Sequence, residues 1–183
     1  LDFTPGQRVT ALYSTLSGAR FIAGFQTAGQ HRSRGFHLAV EHRADRHELE
    51  NFRALLGALS IPSAFEPQVT VPAVAEEPFA GVRDVVVFHL WASGAQSWLR
   101  EWPEDRWIAL AHRLTETETV FAITGAPSDL DRIKPFVMRM NEAGLNAQPF
   151  VGTDGFVSLA HLLLKARRVV SVNTGVMHLA AIL

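Results

Sequence analysis

From Asp84 to the last residue, strand-length apolar runs alternate with helical patterns, and this alternation leaves the chain few folds to adopt. "DVVVFHL", starting at Asp84, is continuously apolar, as a strand covered on both faces of its sheet must be. After a loop, Pro103 suits a first helical turn, with Glu104 and Asp105 at the positive end of the helix dipole. Trp107, Leu110, Ala111 and Leu114 then recur on one helical face. "TVFAIT" is the next strand and closes on Gly125, and Ser128 is placed to cap a helix running to Asn141. "AQPFVG" is a short strand, and Leu159, Leu162, Leu163 and Ala166 mark another helical face. "RVVSVN" and "TGVMHLAAIL" complete the fourth strand–helix unit. Four such units predict a parallel α/β sheet with right-handed crossovers.

The first part of the chain is less regular. Thr4-Pro5 can start a helix on which Val9, Leu12, Tyr13 and Leu16 share a face. "FIAGF" is a short strand, and the polar, basic "QTAGQHRSRG" reads as a mobile loop. Asp45 and Glu48 have capping-box spacing ahead of Leu49, Phe52, Leu56 and Leu59. "SIPSAFEPQVTVPAVAEEPFAG" holds four prolines and little periodicity, the composition of a linker. The division expected is a first lobe over 1–65, a linker over 66–82 and a second lobe over 83–183.

Composition removes several function classes. Apolar residues make up 48% and charged residues 19%, enough for a globular core. The net charge of −1 supplies no bulk attraction for nucleic acid or anionic membrane, so an anion site must be local. The absence of cysteine excludes disulfides, thiolate metal sites and thiol nucleophiles. No apolar run approaches the ~20 residues that cross a bilayer. No signal peptide is visible, although the chain opens on Leu1 and not on Met.

Open parallel sheets bind ligands beyond the carboxyl ends of their strands. Three strand ends in the second lobe carry suitable residues. The first is His89 to Ser93, with Arg100 following in the loop; the second is Thr124-Gly125; the third is Asn173-Thr174-Gly175, with His178 one turn into the helix. Glycine lets a backbone approach a ligand, free helix N–H groups favour an anion, and arginine can clamp a phosphate. Together these groups suit a phosphate-bearing ligand such as a nucleotide. No G-x-G-x-x-G or P-loop string occurs, which argues against a dinucleotide dehydrogenase or an NTPase.

Each residue also has a plainer reading. Thr174-Gly175 is a turn with an N-cap, Asn173 caps the last helix, and His178 is a core histidine among apolar neighbours. Arg100 is a solvated loop charge, and Lys165, Arg167 and Arg168 complement a helix dipole. His47 faces solvent, while Trp102 and Trp107 pack.

As a set, "FHLWASGAQSWLREWPEDRWIALAHRL", "FAITGAPSD" and "LAHLLLKARRVVSVNTGVMHLAA" resemble glycosyltransferase family 9, the ADP-heptose:lipopolysaccharide heptosyltransferases and their relatives. Arg100 and Trp102-Pro103 match the family's basic residue near Trp-Pro, and Thr124-Gly125 its strand ending in Thr-Gly. Thr174, Gly175, His178, Leu179, Ala180 and Ala181 match its Thr-Gly-x-x-His-Leu-Ala-Ala segment. "SGARFIAGF" and "HELENFRALLGAL" resemble first-lobe segments of the family. The resemblance implies a GT-B-like α/β fold of two Rossmann-like lobes with parallel sheets, both incomplete in this chain.

It also implies inverting, metal-independent sugar transfer, with no cofactor, from a nucleotide-diphosphate sugar such as ADP-heptose to a lipopolysaccharide-type acceptor. The donor would be held by Ser93, Arg100, Thr124, Gly125, Asn173, Thr174, Gly175 and His178. The setting would be cytoplasmic, with peripheral contact on the inner face of the bacterial inner membrane and no nucleic-acid partner. Two departures stand out. Asn173 replaces the family's Asp, turning a carboxylate contact into an amide one, and Leu90-Trp91 stand where a Pro-Gly turn is usual. The family's first strand, its Gly-rich turn and its presumed catalytic Asp have no counterpart here. The chain is therefore expected to be a truncated, inactive piece with no assignable catalytic base; Asp2 is at most cleft-lining. Two other readings are a non-catalytic nucleotide-binding module and an NAD(P)-dependent oxidoreductase fragment.

Overall fold

The computed structural model describes residues 1–63, 68–94, 96–152 and 155–183. The chain divides into two compact units, Leu1–Glu66 and Pro67–Leu183. The boundary expected at residues 65–66 lies outside the described residues. Among the described residues no helix is long and apolar enough to cross a membrane.

The second unit is a four-stranded parallel sheet. Its strands are β3 (Asp84–His89), β4 (Thr119–Thr124), β5 (Ala147–Phe150) and β6 (Arg168–Ser171), in the order β5-β4-β3-β6. β1 (Ala23–Gln26) and β2 (Leu38–Glu41) belong to the first unit. The apolar run of β3 has the predicted cause. Val86 and Phe88 point into a core shared with helices α3 (Glu104–Leu114) and α4 (Leu130–Glu142). Val85 and Val87 point the other way, toward α5 (Phe156–Lys165) and α6 (Gly175–Ile182). All four β3 residues are fully buried. Leu90 and Trp91, 1% and 6% exposed, extend the α3–α4 core. They therefore replace a tight turn with packing, and Trp91 sits edge-on to Phe136.

Polar contacts tie the layers together. Arg139 of α4 reaches Glu104 and Asp105 in the first turn of α3, both at 2.5 Å. Arg167 bonds Asp84 Oδ1 at 2.5 Å and Glu116 Oε1 at 2.8 Å, at the amino end of β3. That is the end of the sheet opposite to the one where ligands bind, so Arg167 is a structural clamp. Trp107 is buried as expected, with the half-exposed Trp102 edge-on to it. The proline-rich stretch makes contacts within the second unit: His161 Nε2 lies 2.8 Å from the Pro72 carbonyl, and Phe79 packs against Phe150. The α4 start differs slightly from the expected one. A 3-10 turn, Pro127–Asp129, precedes the helix, and Asp129, not Ser128, accepts the Ala126 N–H at 2.8 Å.

In the first unit, β1 and β2 pair in parallel and Asp2 bridges to Gly24. Helix α2 (Glu48–Ala58) packs Leu55 and Phe52 on Ala23 and Phe25. Its cap is not the expected Asp45–Glu48 box. The His47 ring accepts the Leu49 N–H at 3.2 Å, while Asp45 pairs with Arg43 and Glu48 with His42. The four-residue β2 escapes a periodicity search because it is too short to show one.

Helix α1 (Arg8–Leu16) turns its apolar stripe outward. Val9, Leu12, Tyr13 and Leu16 share a face, as their spacing says, but all are exposed, and the helix buries Ala11. The reason is polar. Arg32, whose side chain is sealed from solvent, donates to Asp2 Oδ2 at 2.6 Å. Thr4 donates both its hydroxyl and its N–H to Asp2, and the Thr10 hydroxyl of α1 lies 2.6 Å from that of Thr4. The Thr10 side of α1 must face this cluster, which leaves the apolar stripe outside. Arg32 also anchors the loop expected to be mobile.

Removing Arg32 strands a buried carboxylate, so Arg32→Met should cost about 3–5 kcal/mol in denaturant unfolding of the chain. Burial pushes the Asp2 carboxyl up, but the two Thr4 bonds and the Arg32 charge outweigh it and hold it below its ordinary value of 3.8. The folded value lies below the unfolded one, so this stability is present in full above pH 3.8 and is lost as pH falls through the folded value. Acid unfolding curves of wild type and Asp2→Asn should therefore differ in that window and run parallel above it.

Candidate functional site

The order β5-β4-β3-β6 contains a reversal. The chain moves from β3 out to β4 and β5, then crosses back to add β6 on the other edge of β3. The loops after β3 and β6 therefore leave in opposite directions and open a crevice at the carboxyl edge of the sheet. A cavity of about 430 Å³ lies at this edge. His89, Thr124 and Phe150 contribute from the ends of β3, β4 and β5, and Thr174 and Gly175 from the turn after β6.

The sequence-derived candidates divide by position. Ser93, Thr124, Gly125, Thr174 and Gly175 line the cavity. Arg100 does not line it but stands at its rim. It donates to the Ser93 carbonyl at 2.6 Å and to the Asn173 carbonyl at 3.4 Å, joining the loops that follow β3 and β6. Asn173 is exposed and lies outside the lining. His178 is also exposed, not a core residue, and only its main-chain N–H reaches back toward Thr174, at 3.5 Å.

Thr174 occupies the N-cap position of α6 with extended backbone, yet its side chain makes no cap bond. Its hydroxyl is instead 3.4 Å from that of Ser171. The first turn of α6 thus meets the cavity at Gly175 and Val176 without a side-chain cap. That is the arrangement in which a helix end favours an anion. Open space surrounds Gly175, whereas a Cβ on Gly125 would lie 2.8 Å from Ile133 Cδ1 and 3.0 Å from Asp129 Cβ. Gly125 is there because the strand end and the following turn touch.

His89, which opens the first of the expected strand ends, also lines the cavity, and Asp129, Phe150 and Phe156 line it without having been among the candidates. The signal that could have found them is position, since each sits at a strand end or in the first turn after one. His89 is the most constrained. Its Nδ1 is 2.9 Å from the Thr124 hydroxyl, which also donates to the Phe88 carbonyl at 3.2 Å. Burial pushes the imidazole below its ordinary value, and a bond to the Thr124 main chain and the Asp129 charge only partly oppose this. The remaining wall is apolar, from Trp91, Phe150, Phe156 and Leu159. Such a cavity can take a flat apolar group on one side and an anion on the other.

Fold and cavity together define a parallel α/β protein with a cavity at the switch point of its second sheet. The model of glycosyltransferase family 9 (heptosyltransferase) matches residues 4–183, and the chain belongs to that family. Among solved structures it is similar to E. coli ADP-heptose lipopolysaccharide heptosyltransferase II, with a TM-score of 0.61 and 17% identity over 97% of this chain and 58% of that one. It is similar also to a family 9 glycosyl transferase from Veillonella parvula DSM 2008, with a TM-score of 0.65 and 13% identity over 98% of this chain and 53% of that one. E. coli heptosyltransferase WaaC, solved with ADP-2-deoxy-2-fluoro heptose, gives a TM-score of 0.63 and 24% identity over 97% of this chain and 56% of that one. The chain thus has the GT-B-like α/β fold and spans a little over half the length of these structures. No curated protein matches its sequence.

The two glycines predict different stability effects. Gly125→Ala must displace Ile133 or Asp129 and should cost about 1–3 kcal/mol. Gly175→Ala meets nothing and should stay within about 1 kcal/mol of wild type, on either side. Denaturant midpoints of the two variants check this.

Proposed function

We propose that the parent protein transfers a sugar, heptose, from ADP-heptose to a lipopolysaccharide-type acceptor on the cytoplasmic side of the inner membrane. The observation that carries this reading is the uncapped start of α6 opening into the cavity beside Thr174, with Arg100 at the rim. Family membership supports the reaction class, and the structures of WaaC with ADP and with an ADP-sugar support the donor class.

The chemistry follows from charge. The acceptor hydroxyl attacks the anomeric carbon from the face opposite the nucleotide. Its proton goes to a base, the bond to the diphosphate breaks, and the diphosphate departs with the bonding pair, inverting the centre. Negative charge grows on the leaving group. The α6 N–H groups and the Thr174 hydroxyl stabilise it without a metal, and Arg100 adds a positive charge at the rim. Ser93, Thr124 and Gly125 line the rest of the cavity. In this reading Asn173 presents an amide toward the sugar, and His178 supports the turn from the helix surface. Asp2 is not the base, because Arg32 and Thr4 occupy its carboxylate.

Calorimetry with ADP tests the reading. Arg100→Ala and Thr174→Val should each weaken ADP binding by about tenfold, the equivalent of 1.4 kcal/mol. Unchanged affinity in both would remove the phosphate assignment. Turnover of ADP-heptose by the parent protein, insensitive to EDTA, tests the transfer itself.

A further inference from the structure

A threonine hydroxyl has one proton to give. Thr124 Oγ1 donates to the Phe88 carbonyl, which can only accept, and lies 2.9 Å from His89 Nδ1. A Thr124 hydroxyl that gives its proton to Phe88 accepts from His89 Nδ1. Nδ1 therefore carries the hydrogen. The neutral ring then has a bare lone pair at Nε2. Burial holds His89 below its ordinary pKa and so favours this neutral form near pH 7.

His89 lines the cavity. The ring's contact with the Thr124 main chain comes from the same residue that holds Nδ1. Asp129, the charged group facing the ring, is itself an acceptor and holds the Ala126 N–H. This wall therefore repels phosphate and favours groups that donate hydrogen bonds. The donor groups are those at the start of α6 and at Arg100.

We infer that His89 Nε2 accepts a hydrogen bond from a hydroxyl of the bound nucleotide-sugar and that His89 is a specificity-determining residue. This rests on the donor reading above. The hydroxyl belongs either to the ribose or to the sugar being transferred, and both present the same chemistry to Nε2.

Nitrogen-15 NMR of the histidine rings in the full chain should show His89 as the Nδ1–H tautomer, identified by its loss in His89→Gln. An Nε2–H tautomer overturns the inference. Calorimetry with ADP and ADP-glucose supplies the second readout. His89→Phe removes the acceptor and should weaken binding about tenfold, while His89→Gln, whose side-chain oxygen can accept, should recover most of the loss. Equal losses for the two ligands identify the ribose; a loss confined to ADP-glucose identifies the transferred sugar. Should His89→Phe fail to fold, Thr124→Val frees Nδ1 from its partner and should mix the tautomers and weaken the same ligand. Wild-type affinity for both ligands in the variants overturns this inference alone. Failure of the wild-type chain to bind either nucleotide overturns the donor reading and the contact with it, with the tautomer still decided by NMR.

Discussion

Strand β3 is hydrogen-bonded along both edges and buried on both faces, and the rest of the second unit depends on that position. A strand so placed has no side for polar residues, so four consecutive apolar side chains alternate between two separate cores. Each core then requires its own pair of helices. Right-handed crossovers place α3 and α4 on one face, and α5 and α6 on the other. The reversal of strand order at β3 is what separates the outgoing loops and leaves a cavity at the carboxyl edge. Burial of the central strand and the presence of the cavity are thus two results of one arrangement.

The first unit is organised by charge. The Arg32–Asp2 pair, sealed from solvent, draws in Thr4 and Thr10 and sets which side of α1 faces inward. Two further nitrogens of Arg32, Nε and Nη1, have no partner among the described residues, so the pair is not a saturated network. A buried ion pair is weak evidence for net stability, because desolvation opposes attraction. It is stronger evidence for orientation. Hydrophobic side chains are interchangeable contacts, whereas a buried guanidinium beside a carboxylate has few acceptable placements.

Much of the second unit was legible in the sequence, because its strands are continuous apolar runs and its helices have clear faces. The strand ends with Thr124-Gly125 and Thr174-Gly175 were legible as cavity wall for the same reason: parallel sheets place ligands there. Two kinds of information were not legible. Side-chain periodicity in α1 shows that Val9, Leu12, Tyr13 and Leu16 share a face, but not that a polar cluster elsewhere claims the opposite one. Nor could spacing show that Arg100 would bridge the Ser93 and Asn173 carbonyls, since those residues meet only when β3 and β6 pair. His178, expected at the donor site or, by its apolar neighbours, in the core, is turned to solvent and lies outside the cavity lining.

By itself the sequence determined the strand–helix alternation, the parallel sheet, the family and the set of strand ends where a ligand could lie. These follow from local hydrophobic periodicity and short motifs, which neighbouring residues express. Only the tertiary structure decided which groups face the cavity and in what chemical state. His89 is the clearest case: its tautomer depends on a hydroxyl 35 positions away and on a carbonyl that the hydroxyl also serves. A hydrogen bond has one donor proton and a narrow geometry, so its direction is set only when distant segments of chain are brought together.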